Sequence, residues 1–187
     1  VKDEVTDNAL SRFNEMYSKA YENSRTVKKE VKKDFDFRTD NKYYYSPSSN
    51  EYVSITMEKY NDYDFRDPAS LKEKIEKNLL SSGSLFLKNS VSDLQKGSYT
   101  YSCTLSDTAT RRVIALKLFI RNGLMQEIVA PFDTTIGFQG WTKDFFVSFQ
   151  PSDIVIGKTI LENKFDRLLA DLSSSHTIIR QNAHSTV

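Results

Sequence analysis

Between residues 97 and 131 the chain alternates apolar and polar positions in three consecutive runs. Tyr99, Tyr101, Cys103 and Leu105 interleave with Thr100, Ser102, Thr104 and Ser106, the period-two pattern of a half-buried strand. The polar stretch from Asp107 to Thr110 makes a turn, after which Ile114, Leu116, Leu118 and Ile120 share one face of a second strand. Asn122-Gly123, a strong hairpin signal, leads into a third strand that ends near Pro131. Two registers compete. A two-residue loop sets Glu127 opposite Leu118, on the apolar face. A three-residue loop with Gly123 in a bulge pairs Ile120 with Leu124, Leu116 with Ile128 and Ile114 with Ala130. The bulged register is the expected one, because it sets Lys117 opposite Glu127, a pairing worth roughly 0.2–1 kcal/mol.

The flanks are patterned differently. Asp7 caps a helix with apolar positions at Leu10, Phe13, Met16, Tyr17, Ala20 and Tyr21, a helical stripe. Residues 26–37 read either as its continuation or as a strand with Val31, Lys33, Phe35 and Phe37 alternating. Tyr43-Tyr44-Tyr45 and the run from Tyr52 to Met57 form a hairpin across a polar turn. Asp67 before Pro68 is an N-cap signature, and the helix it opens carries Leu71, Ile75 and Leu79 and ends before Gly83. Residues 84–90 are a further strand.

After Pro131, Trp141, Phe145, Phe146 and Phe149 mark a helix that Pro151 ends, and core packing is its expected role. Another helix is predicted from about Thr159, with Leu161, Phe165, Leu168, Leu169 and Leu172 on one side. Ser173 to Ser175 break it, and Ser175 caps a short last helix with Ile178, Ile179 and Ala183. The class is therefore α+β, a central antiparallel sheet of five or six strands packed between N- and C-terminal helices. Residues 1–40 form a helical lead-in and 41–150 the sheet domain. Residues 151–187 are a helical segment that reads as the start of a further helical region.

Composition narrows the function. A chain of 187 residues that is 39% hydrophobic and 27% charged is long enough to fold without metal or disulfide staples. Its net charge of +1 predicts no general attraction to nucleic acid or anionic membrane. The run from Lys28 to Lys33 is interrupted by Glu30 and followed by Asp34, and reads as a solvated face. No run of about 20 apolar residues is present. The single cysteine, Cys103, excludes a disulfide within the chain and is expected to be a small core residue.

Catalytic and metal signatures are missing. The two histidines, His176 and His184, lie two helical turns apart, too far to share a metal. Asp62, Asp64 and Asp67 lack the glycine and spacing of a calcium loop. No phosphate loop, dinucleotide fingerprint, nucleophile elbow or H-E-x-x-H is present. The reading is of no catalytic residues, no metal and no cofactor. Tyr43, Tyr44, Tyr45, Tyr60 and Tyr63 are the candidate ligand-binding residues, since tyrosine joins an apolar face to a polar tip. The stripe of Leu161, Phe165, Leu168, Leu169 and Leu172 is the candidate interface with a neighbouring domain or, in a homodimer, a second copy. Because the chain opens on Val1 and its last helical pattern stops uncapped at Val187, it is expected to be an excised piece of a longer protein.

The hairpin ending YVSITM, the helix opening DPASL, the strands of TRRVIALKLFIRNGLMQEIVAP and the closing helix with Phe145, Phe146, Ser148 and Phe149 resemble the PsbP-like fold. That fold is named for an extrinsic photosystem II protein and is shared by many bacterial domains. The resemblance covers roughly residues 43–150 and rests on element order. It implies an antiparallel sheet between helices and a binding or assembly module rather than an enzyme. It transfers no functional residue. The expected function is a non-catalytic interaction or scaffolding domain of a larger bacterial protein, with an extracytoplasmic location favoured. The alternative is a small-ligand, for instance carbohydrate, binding domain using the tyrosines.

Overall fold

The structure, a computed structural model, describes residues 38–107, 109–151 and 153–187. The helix expected from Asp7 and the two readings of residues 26–37 lie outside the described residues. Six strands form one antiparallel sheet: β1 (Arg38–Ser46), β2 (Glu51–Lys59), β3 (Leu85–Gln95), β4 (Ser98–Asp107), β5 (Arg112–Arg121) and β6 (Leu124–Asp133). Their order is β1-β2-β6-β5-β4-β3. Among the described residues four helices accompany them: α1 (Pro68–Leu79), α2 (Gly140–Ser148), α3 (Phe165–Leu172) and α4 (Thr177–His184). The chain is α+β, as its patterning predicts.

Period-two alternation sorts the side chains onto two faces. On the first face, Val53, Ile55 and Met57 of β2 join Ala115, Leu124, Ile128 and Ala130, and α2 buries Phe145 and Phe146, with Phe149 beyond its end, against them. Trp141, Phe138 and Phe132 close the edge of this cluster, their rings about 5 Å from neighbouring aromatics. The aromatic stripe of α2 is core, as expected. On the second face, Tyr99, Tyr101, Cys103 and Leu105 of β4 and Leu116, Leu118 and Ile120 of β5 pack under Leu71, Ile75 and Leu79 of α1. Asp67 caps α1 by accepting from the Ala69 N–H at 3.1 Å, with Pro68 in the first turn. Cys103 is buried, and that burial pushes its thiol pKa up.

The register of the β5–β6 hairpin corrects the sequence reading. Arg121 pairs with Leu124, Ile120 with Met125, Leu118 with Glu127 and Ala115 with Ala130. Asn122 and Gly123 have φ of 53° and 78°, the two positive values of a type I′ turn, so the loop has two residues and no bulge. Lys117 faces Ile128 rather than Glu127. It sits on the first face, donates to the Phe146 carbonyl at 3.0 Å and lies over the Phe119 and Phe146 rings. The physical reason is that β5 and β6 contribute apolar side chains to the cores on both faces. Apolar residues then occur at both parities and no longer fix the register.

The turn is also clamped. The stretch after α2 crosses its tip, where the Ile156 and Gly157 N–H groups donate to the Asn122 carbonyl at 3.0 and 3.1 Å. Arg121 pairs with Asp153. Beyond this strap Ile160 and Leu161 are buried in the second-face core, and the Arg66 N–H donates to the Ile160 carbonyl at 2.7 Å. Helix α3 begins at Phe165, later than the spacing predicts, because Ile160 and Leu161 enter the core from a turn. Helix α4 has His176, not Ser175, at its N-cap, and no side chain caps it.

A tyrosine shelf beside half-buried carboxylates

Each helix covers only part of its face. On the second face α1 packs over β4 and β5, and no helix among the described residues covers the β1–β2 hairpin or part of β6. Tyr45 pairs across the hairpin with Tyr52, Tyr43 with Ser54, and Asn41 with Thr56. All project from the second face, because Tyr44 and Val53, of opposite parity, pack into the first-face core. Tyr43, Tyr45 and Tyr52 are 77%, 53% and 51% exposed. Three rings on neighbouring strands, about 4.8 Å apart across the sheet, form a shelf. Its geometry is held from within. The Tyr45 hydroxyl donates to Asn50 Oδ1 at 2.9 Å, and the Thr56 hydroxyl donates to Asn41 Oδ1 at 2.8 Å.

Toward α1 the shelf meets half-buried β6. Thr56 pairs with Glu127, Ser54 with Val129, and Glu58 with Met125. Glu58 and Glu127 are thus diagonal neighbours on one face. Burial, and then the Glu58 charge, raise the Glu127 pKa above its ordinary value. Both effects disfavour the carboxylate. Cys103, farther under α1, feels the charges of Glu76 and Glu127 together. The inner margin of the shelf is therefore negative.

The sequence-predicted site residues separate. Tyr43 and Tyr45 lie on the shelf. Tyr44 points to the opposite face, its ring centroid 5.2 Å from that of Phe145. Tyr60 is buried and donates its hydroxyl to Met125 Sδ at 3.1 Å; burial, then Glu58, push its pKa up to about 12. Tyr63 is buried and donates to Asp171 Oδ2 at 2.8 Å. Tyr44, Tyr60 and Tyr63 therefore leave the exposed tyrosine surface. Tyr52 was missed; its cross-strand position opposite Tyr45 is the signal that finds it. Glu127 was missed because the bulged register sets it on the other face, which leaves Glu58 without its neighbouring carboxylate.

The candidate interface also divides. Leu161 is buried in the sheet core, which corrects its assignment as an interface residue. Leu168 and Leu172 pack with Ala183 against Tyr63. Phe165 and Leu169 are 60% and 48% exposed. The three aspartates have local roles: Asp62 pairs with Lys59 at 3.4 Å in a buried site, the Asp64 carbonyl accepts from Lys164 Nζ at 2.8 Å, and Asp67 is the α1 cap. Among the described residues no group of three or more His, Cys, Asp or Glu is placed to hold a metal. No helix among them is long and apolar enough to cross a membrane.

Compared with known proteins, the sequence matches no family model and no curated protein.

Proposed function

We propose that the chain is a non-catalytic interaction module whose contact surface is the shelf of Tyr43, Tyr45 and Tyr52. The observation that carries this is the exposure of three aromatic rings, side by side on the second face of β1 and β2, which no helix among the described residues covers. Exposed aromatics on rigid strands give large contact area at low entropic cost, which is why tyrosine is enriched at recognition surfaces. The resemblance to PsbP-like domains, which typically act as binding or assembly modules, agrees with this role in a larger protein. The test is selection of a displayed random-peptide library on the wild-type chain, with counter-selection on the triple variant Tyr43→Ala, Tyr45→Ala and Tyr52→Ala. Peptides that bind the wild type and lose the folded triple variant support the reading. Enrichment only of peptides that bind both equally, or no enrichment, overturns it. An oligosaccharide array run on the same two proteins tests carbohydrate binding at the same surface.

A second surface is favoured by one observation. Phe165 and Leu169, one helical turn apart on α3, are both exposed while the opposite side of α3 packs on Tyr63. This edge fits a second copy or a neighbouring domain. Sedimentation of wild type and of Phe165→Ser/Leu169→Ser tests it: an oligomer that dissociates in the variant supports it, and an unchanged monomer removes self-association.

A further inference from the structure

We infer that the shelf takes a basic peptide, with an arginine or lysine side chain lying over the tyrosine rings and reaching Glu58 and Glu127. The inference rests on the shelf being a contact surface and names the chemistry of its partner. Two features of the surface are complementary to a cation. The first is aromatic: Tyr43, Tyr45 and Tyr52 present their rings on β1 and β2, and a ring face attracts an ammonium or guanidinium through its quadrupole. The second is ionic. Glu127 lies in the row Asn41–Thr56–Glu127 across β1, β2 and β6, half-buried, with Glu58 diagonal to it on the same face.

Among the described residues no ion pair joins Glu58 or Glu127 to a cation. Glu58 is the charge that acts on Glu127, and it repels. Glu76 on α1 adds a third carboxylate near Cys103, and its own cation, Lys72, lies 3.8 Å from it. Arg66 is engaged over the Tyr60 ring at 5.6 Å. Two carboxylates held together at the edge of an apolar core are costly unless a positive group joins them, and a guanidinium matches carboxylate geometry with paired N–H donors. The spacing suits one long side chain. Tyr43 and Glu127 stand two strands and one side-chain row apart, about 12 Å between backbone positions. An arginine laid between them covers a ring with its stem and presents its guanidinium to the carboxylates.

The experiment is fluorescence anisotropy on the full chain with three short fluorescein-labelled peptides: arginine alternating with serine, the same peptide with citrulline, and the same with glutamate. The proteins are the wild type, Glu127→Gln, Glu58→Gln and the triple tyrosine-to-alanine variant, each checked for folding by its thermal melt. The expected result is binding of the arginine peptide that weakens with salt. Citrulline substitution and each glutamine variant should weaken it roughly tenfold, and the tyrosine variant should abolish it. If the citrulline peptide binds as tightly as the arginine one and only the tyrosine variant loses both, the shelf is a contact surface and the basic partner is wrong. Arginine-peptide binding unchanged in both glutamine variants also overturns the inference. If no peptide binds the wild type, the inference fails, whereas the library selection still decides the contact surface by itself.

Discussion

Gly123 shows how one residue carries both a turn and a tertiary contact. Its φ of 78° lies in the region that favours glycine. A Cβ there would also collide with the Gly157 backbone of the strap. Gly123→Ala is therefore expected to cost roughly 2–3 kcal/mol, more than the ~1 kcal/mol of the φ effect alone. A urea midpoint lowered by only the smaller amount would show that the strap moves aside at little cost. Glu127 makes the opposite case. Its folded-state pKa stands above its unfolded one, so the folded chain holds the proton more tightly. Stability is then intact below the ordinary value of 4.5, falls as pH rises through the raised folded value, and stays lower above it. Glu127→Gln should accordingly be more stable than the wild type at pH 7, with the difference disappearing in acid. Melts across that range check the sign: a variant less stable at pH 7 would mean that Glu127 has a favourable partner. A residue kept at a cost in stability is the kind expected at a binding surface.

At the scale of elements, what the sequence disclosed follows from how many faces each element buries. Helix α1 was legible at its start, because the Asp67 cap and Pro68 act locally, and it ends at Leu79, before Gly83. Its cap is testable: Asp67→Ala should cost about 1 kcal/mol, read from the urea midpoint, and no change would mean that the Ala69 N–H finds water equally well. The β1–β2 hairpin and β4 were legible because each shows one buried and one polar side, so alternation reports the fold directly. The β5–β6 register was not, since both strands send apolar side chains into both cores and their positions fit either pairing. The candidate site suffered from the same ambiguity. Tyr43 and Tyr45 could be found from composition, but their separation from Tyr44 is a matter of parity. The exclusion of Tyr60 and Tyr63 depends on the distant C-terminal segment, whose Ile160 and Leu161 share a cluster with Tyr60 and whose Asp171 accepts from Tyr63. Glu127 could be placed only once the register was known.

The whole molecule is held closed by that C-terminal segment, which has two parts of different worth. The strap and the turn after it, up to Lys164, contribute Ile160 and Leu161 to the second-face core, clamp the β5–β6 turn at Asn122, and bring the Lys158 N–H to the buried Asp62 at 3.2 Å. Helices α3 and α4 contribute a smaller cluster around Tyr63 and Ala183. Deleting a buried leucine or isoleucine side chain costs about 2–5 kcal/mol, and a domain is stable by only about 5–15. A chain ending at Gly157 loses both side chains and the backbone bond to Arg66. It should therefore lose its cooperative unfolding transition or aggregate. A chain ending at Lys164 retains them and loses only the Tyr63 cluster. It should keep a cooperative transition with stability lowered by a few kcal/mol, and with the Tyr43, Tyr45 and Tyr52 shelf intact. Urea unfolding of the two truncations beside the full chain makes the comparison. Equal loss in both would place the decisive packing in α3 and α4. A fully stable chain ending at Gly157 would show that Ile160 and Leu161 cover a core that closes without them.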